Sequence, residues 1–287
     1  MSNIPYPDVS KSEQRASLGL YHYLKQAASY DDELKPSEAL PGSPFAEDEA
    51  AVPKLPTKQK AHYLLSAGYG CLLSLRRWLG LKREGQELHV TVYTHGGYAL
   101  LRNALECGAT SLWLLEPDNS KDRIRRMLLL HLDEIRNYES FALSMGDSVA
   151  HLNAKRTNID KYAAQAGLKK WNPSGPNGPK IKGQKADKLP SMTATLNYLE
   201  QYRVPETEHD MPWLSAWQLS SGFAHGKLWA ASTAQELIPQ VGSEHEHGAT
   251  FHVRTKLESV LAVTVAAYTL LEAGMRRYRH LSNKNDA

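Results

Sequence analysis

The stretch from Tyr98 to Leu115 is apolar or small at nearly every position, which predicts a helix buried on all sides. Its charged residues are Arg102 and Glu106, one helical turn apart. A charge taken out of water is costly unless it is paired and hydrogen-bonded, so this pair must be met by polar groups from another segment. Arginine ahead of glutamate is also the weaker order for simple helix support. Two readings stay open. In one, the pair is a structural pin; in the other, Arg102 holds an anion while Glu106 moves a proton or orients the arginine.

A chain of 287 residues is long enough for a large helical core. A net charge of +3 is too small to imply nucleic-acid binding, so a local basic patch would have to carry that case. Cys71 and Cys107 sit in apolar helical runs, which fits buried reduced thiols and a cytoplasmic protein better than a disulfide framework. No apolar stretch behind a basic region is visible near Met1, so no signal peptide is expected. The apolar run Val260 to Leu271 falls short of the roughly 20 residues that span a bilayer, and predicts a core helix with no membrane partner.

Helical periodicity recurs over Ser10 to Ser29, with a face drawn by Leu18, Tyr21, Leu24 and Lys25, and over Thr57 to Leu79. It returns from about Ser120 to Met145, where Ile124, Met127, Leu128, His131, Ile135, Tyr138, Ala142 and Met145 form a stripe. Asn119 or Ser120 is the expected start, and Pro117 ends the helix before it. Further helices are expected at Ile159 to Gly167, Met192 to Arg203, Trp213 to Ala224 and Lys256 to His280. Glu87 to Tyr93 alternates like a strand without an evident partner, and Thr250 to Val253 is β-prone. Asp31 to Pro56, with five prolines and several acidic residues, predicts an exposed linker. The expected fold is all-α: a bundle of five to seven helices around the buried Tyr98–Leu115 helix, with at most a minor short β element. Residues 1–56 form a helical arm and acidic proline-rich linker, and 57–283 the main domain with a flexible basic loop at 169–188.

Other constellations carry chemistry. Ser221 and His225 lie one turn apart on a helix that Gly226 is suited to end, placing His225 at the negative end of the dipole. A Ser–His nucleophile pair is conceivable, but the strand–turn–helix elbow of G-x-S-x-G hydrolases is missing. His245 and His247 could face one way on an extended segment near His252, yet spacing provides no third ligand, so an exposed loop is expected and no metal or cofactor is implied. The loop from Lys169 to Lys188 offers Lys180 and Lys182 to phosphates and Trp171 to a base, or is simply solvated.

Arg126 and His131 match the Arg-x4-His motif and resemble the HEPN ribonucleases, all-helical enzymes that cleave RNA without metal at a dimer interface. The resemblance implies Arg126 stabilising phosphate charge and His131 acting as acid or base. Five residues along a regular helix also rotate side chains about 140° apart, and His131 equally fits an apolar stripe. Leu100 to Glu106, Trp113 to Pro117, Arg123 to Asn137 and Ser221 to Gly226 together resemble a family of actinobacterial and phage-associated helical proteins. That likeness singles out Arg102, Glu106, Asp133, Ser221 and His225. The expected function is therefore an intracellular HEPN-like protein, a homodimer in one form, that acts on or senses RNA or nucleotide in phage–host conflict. The alternative is a non-catalytic helical interaction module.

Overall fold

The computed structural model describes residues 10–35, 37–85, 87–92, 95–169, 171–173, 187–204, 210–243 and 251–283. Among them the chain is all-α with minor β structure. Ten α-helices are present: α1 (Lys11–Glu33), α2 (Pro44–Ala51), α3 (Thr57–Trp78), α4 (Gly96–Leu115), α5 (Ser120–Ser144), α6 (His151–Gln165), α7 (Met192–Leu199), α8 (Trp213–Ala224), α9 (Leu228–Ala234) and α10 (Leu257–Ser282). Two antiparallel ribbons complete the set. The strand-like run after Glu87 does find a partner, as β1 (Lys82–Glu84) pairs with β2 (Glu87–His89). The β-prone segment near residue 251 forms β4 (Phe251–Thr255), paired with β3 (Gln235–Pro239) from Gln235↔Thr255 to Pro239↔Phe251.

Helix ends follow local chemistry. Ser10 caps α1 in a reciprocal box with Glu13. The Asn119 side chain accepts from the Asp122 N–H at 2.8 Å and starts α5. At the end of α8, Gly226 N–H donates to the Phe223 carbonyl (3.0 Å) and Lys227 N–H to the Gly222 carbonyl (2.8 Å). With Gly226 at φ +62°, this is a Schellman motif. The expected glycine stop is present.

The chain divides into two compact units. The first comprises residues 1–35, 65–109 and 196–273. Its most enclosed element is the 257–273 part of α10, not the Tyr98–Leu115 helix expected at the centre: no residue of that part is exposed. Glycines let three helices approach it closely. A Cβ on Gly19 of α1 would lie 2.9 Å from Leu261, one on Gly68 of α3 2.5 Å from Leu271, and one on Gly108 of α4 3.1 Å from Leu270. Trp213 of α8 adds a hydrogen bond from Nε1 to Thr269 Oγ1 at 3.1 Å. α10 is long and apolar enough to cross a membrane, and 72% of its most apolar window is buried. α1 turns Ala16, Leu20, Leu24 and Ala27 inward and leaves Leu18 exposed, so its buried face is rotated from the expected one.

The second unit comprises residues 36–64, 110–195 and 274–287. The expectation of an exposed linker from Asp31 to Pro56 fails here. Ser43 caps α2, whose Phe45 and Asp48 are buried, as is Val52 just beyond. The cause is Arg123, a fully buried side chain of α5. Its Nε and Nη2 bind the two Asp48 carboxylate oxygens at 2.9 and 2.8 Å. Its remaining donors reach the carbonyls of Pro44, Pro117 and Asp118. A guanidinium with every direction satisfied offsets its own desolvation. Of the stripe expected on α5, Ile124, Met127, Leu128 and Ala142 are buried and His131 and Ile135 half-buried, whereas Tyr138 and Met145 are exposed.

Candidate functional site

The site is built by α4 and α8 within the first unit. α4 is not buried all round, as expected from its composition. Leu101, Ala104, Leu105, Gly108 and Ala109 face inward, whereas Ala99 and Asn103 are exposed and Arg102, Glu106 and Cys107 half-buried. Gly96 and Gly97 begin the helix against the Trp78 indole, where a Cβ on Gly97 would lie 2.9 Å from the ring. Packing the first turn this closely fixes the start of the face that carries the charges.

Arg102 and Glu106 pair as their spacing requires, with Nε to Oε1 at 2.9 Å. The same Glu106 oxygen accepts from Trp217 Nε1 at 2.9 Å. Arg102 Nη1 lies 3.0 Å from His225 Nε2. Trp217, Ser221 and His225 follow one another at four-residue spacing, so α8 presents a stripe that meets α4 in antiparallel order: 217 at 106, and 225 at 102. A guanidinium has donors only. The contact therefore requires a lone pair on His225 Nε2, and so a neutral ring with its proton on Nδ1. The Arg102 and Glu106 side chains are 27% and 31% exposed, so solvent reaches the ion pair.

One turn earlier on α4, Tyr98 stacks on Phe223 of α8, with centroids 4.0 Å apart and rings nearly parallel. His95 meets Phe223 edge-on at 5.7 Å. Burial pushes the Tyr98 phenol well above its ordinary range, and its hydroxyl is buried with no hydrogen-bond partner among the described residues. On the other side of the pair, Asn103 donates from Nδ2 to Cys71 Sγ at 3.2 Å and accepts from Cys107 Sγ at 3.7 Å. Both cysteines are half-buried thiols, less enclosed than expected. Burial raises the Cys71 thiol, and the Asn103 hydrogen bond partly opposes that.

Of the residues singled out by sequence, Arg102, Glu106 and His225 are thus brought together, with Ser221 on the same stripe. The Arg-x4-His pair is not. Arg126 pairs with Glu116 at 3.0 Å, donates to the Trp113 carbonyl and lies 5.0 Å from the Trp113 ring. His131 Nδ1 lies 3.2 Å from Glu134, which also takes Lys60. Helical rotation sends the two side chains to different neighbours. Asp133 binds Arg136 and Asn137 on its own helix. Trp171 donates to Asp160 at 3.0 Å and has Arg125 6.0 Å from its ring. Lys180, Lys182, His245 and His247 lie outside the described residues. Sequence reasoning missed Trp217, Tyr98, Phe223 and His95 as members of this face. The four-residue spacing of Trp217, Ser221 and His225 was the available signal. No family model matches this chain, and neither a curated protein nor a solved structure is significantly similar to it.

Proposed function

We propose that the α4–α8 face binds an RNA phosphate and cleaves the chain beside it without a metal. The observation that carries this reading is the 3.0 Å contact between Arg102 and the basic nitrogen of His225. It sets a permanent cation next to a proton acceptor on a solvent-reachable surface. Metal-free cleavage of RNA needs a base for the 2′-hydroxyl proton, an acid for the departing 5′-oxygen, and a cation for the charge growing on phosphorus oxygens. Once Arg102 Nη1 turns from His225 to the phosphate, the freed lone pair of His225 Nε2 takes the proton as the 2′-oxygen bonds to phosphorus. Arg102 holds the phosphate oxygens, and Glu106, steadied by Trp217, orients the guanidinium. His95 protonates the 5′-oxygen as its bond to phosphorus breaks. The buried Phe223–Tyr98 stack lies beneath these groups and fixes α8 against α4. The HEPN resemblance agrees in class of reaction, although the residues proposed here are not its Arg-x4-His pair. The likeness to actinobacterial and phage-associated proteins adds a setting in phage–host conflict.

The test is incubation of single-stranded RNA with the purified chain in EDTA. Wild type and His131→Ala are expected to cleave it, and His225→Ala and Arg102→Ala to be slower by about 100-fold or more. Intact RNA in every lane removes the catalytic form. A second reading, a helical interaction module, is favoured by one observation. Leu228 and Val241 are 81% and 97% exposed, and Trp229, Leu237 and Val253 are also exposed, which is a large apolar share for α9 and the β3–β4 ribbon. Uncleaved RNA together with a stable self-associated state in light scattering selects it.

A further inference from the structure

The second unit contains a pocket of about 370 Å³ between the segment before α2, α2 itself, the start of α3 and the end of α10. Glu49, Pro56, Lys58, Gln59, His62 and Tyr278 line it. Lys58 is a buried lysine whose Nζ donates to Ser37 Oγ at 3.0 Å and to the Glu38 carbonyl at 2.6 Å. His62 Nδ1 is buried without a hydrogen-bond partner among the described residues. A buried polar atom left in this state costs free energy unless something meets it. We propose that this pocket binds a small, uncharged, planar ligand with amide-like edges, of the nucleobase class.

Three features support that choice. The volume lies in the range of pockets that enclose small molecules, about 300–1,000 Å³. The polar groups alternate in kind: the Glu49 carboxylate and a histidine nitrogen can accept, the Lys58 ammonium and Tyr278 hydroxyl can donate, and the Gln59 amide does both. Such a mixture fits the edge of a base better than a phosphate or an ammonium. Charge is also disfavoured throughout. Burial raises Glu49, lowers Lys58 and His62, and pushes the Tyr278 phenol up to about 12. A charged ligand would be desolvated there against a lining that holds both signs, whereas Pro56 and Tyr278 offer apolar surface to a flat ring.

The inference stands apart from the α4–α8 reading, and its test does not use RNA cleavage. Adenosine, guanosine, cytidine and uridine are each titrated into the full chain by calorimetry, followed by the 5′-monophosphate of any that binds. The expected result is one-to-one binding of at least one nucleoside, no tighter for the monophosphate. Glu49→Gln and His62→Phe should each weaken it by about tenfold or more, the worth of one good hydrogen bond. Should His62→Phe fail to fold by circular dichroism, Gln59→Ala at an exposed position takes its place. Absence of binding by all four nucleosides overturns the proposal. So does binding indifferent to these variants, or binding that needs the phosphate.

Discussion

At the residue scale, the two arginine–carboxylate pairs of this protein behave in opposite ways. Arg123 and Asp48 are both 0% exposed, so removing either partner leaves an uncompensated charge where water cannot reach. Arg123→Ala is expected to lower unfolding stability by about 3–5 kcal/mol, measured by urea denaturation. Arg102 and Glu106 are roughly a third exposed, and pairs of that kind contribute about 1 kcal/mol or less. Arg102→Ala should therefore leave the urea midpoint nearly unchanged while abolishing the activity proposed for the site. A large loss of stability in that variant would assign the pair to packing instead. Cys71 gives a second check on the same face. Because Asn103 supports its thiolate against burial, Asn103→Ala should slow alkylation of Cys71 by iodoacetamide at pH 8; an unchanged or faster rate contradicts that contact.

At the element scale, α8 and α9 meet through a glycine. A Cβ on Gly222 would lie 2.7 Å from the Ala230 Cβ and 2.8 Å from the Trp229 ring. Trp229 is half-exposed and can swing aside, but the Ala230 methyl is fixed to its backbone. Gly222→Ala is expected to cost about 1–3 kcal/mol of stability, read from thermal melting. The same substitution displaces the end of α8 that carries His225, so RNA cleavage should fall with it. The helix ends themselves were legible in advance: the Ser10 box, the Asn119 cap and the Gly226 stop each depend on residues within one turn. The short helices α2 and α9 were not. α2 holds two prolines' worth of linker-like sequence on either side, and its packing comes from Arg123, remote in the chain. The identity of the enclosed helix was also misassigned. Apolar content alone favours α4, whereas close approach through Gly19, Gly68 and Gly108 encloses α10.

At the scale of the whole molecule, pH reports on one cluster of the second unit. The hydrogen bond from His131 is the largest influence on the Glu134 carboxyl; burial, the next largest, opposes it, and with the contacts to Lys60 the carboxyl is held at about 2, below its ordinary 4.5. A carboxylate depressed in the folded state contributes stability that is fully present above its unfolded value. That contribution is lost as the pH falls from about 4.5 toward 2. Glu134 is 53% exposed, so solvent screening keeps the effect modest. Melting temperatures of Glu134→Gln and wild type should converge across that interval and differ above it. Parallel curves from pH 6 down to 2 would show that the carboxylate contributes nothing.

Sequence by itself determined the helical class, most helix limits, the i,i+4 pairing of Arg102 with Glu106, and the glycine stop that exposes His225 at a helix end. All of these are written within a few residues, at the range over which backbone hydrogen bonds and helical spacing act. Only the tertiary structure decided which face of α4 meets solvent, that Asp48 belongs to Arg123, and that Arg126 and His131 part company. It also brought Trp217 and His225 onto Glu106 and Arg102. Such pairings depend on which apolar stripes pack against each other, and a chain's periodicity specifies that a stripe exists without naming the stripe that will cover it.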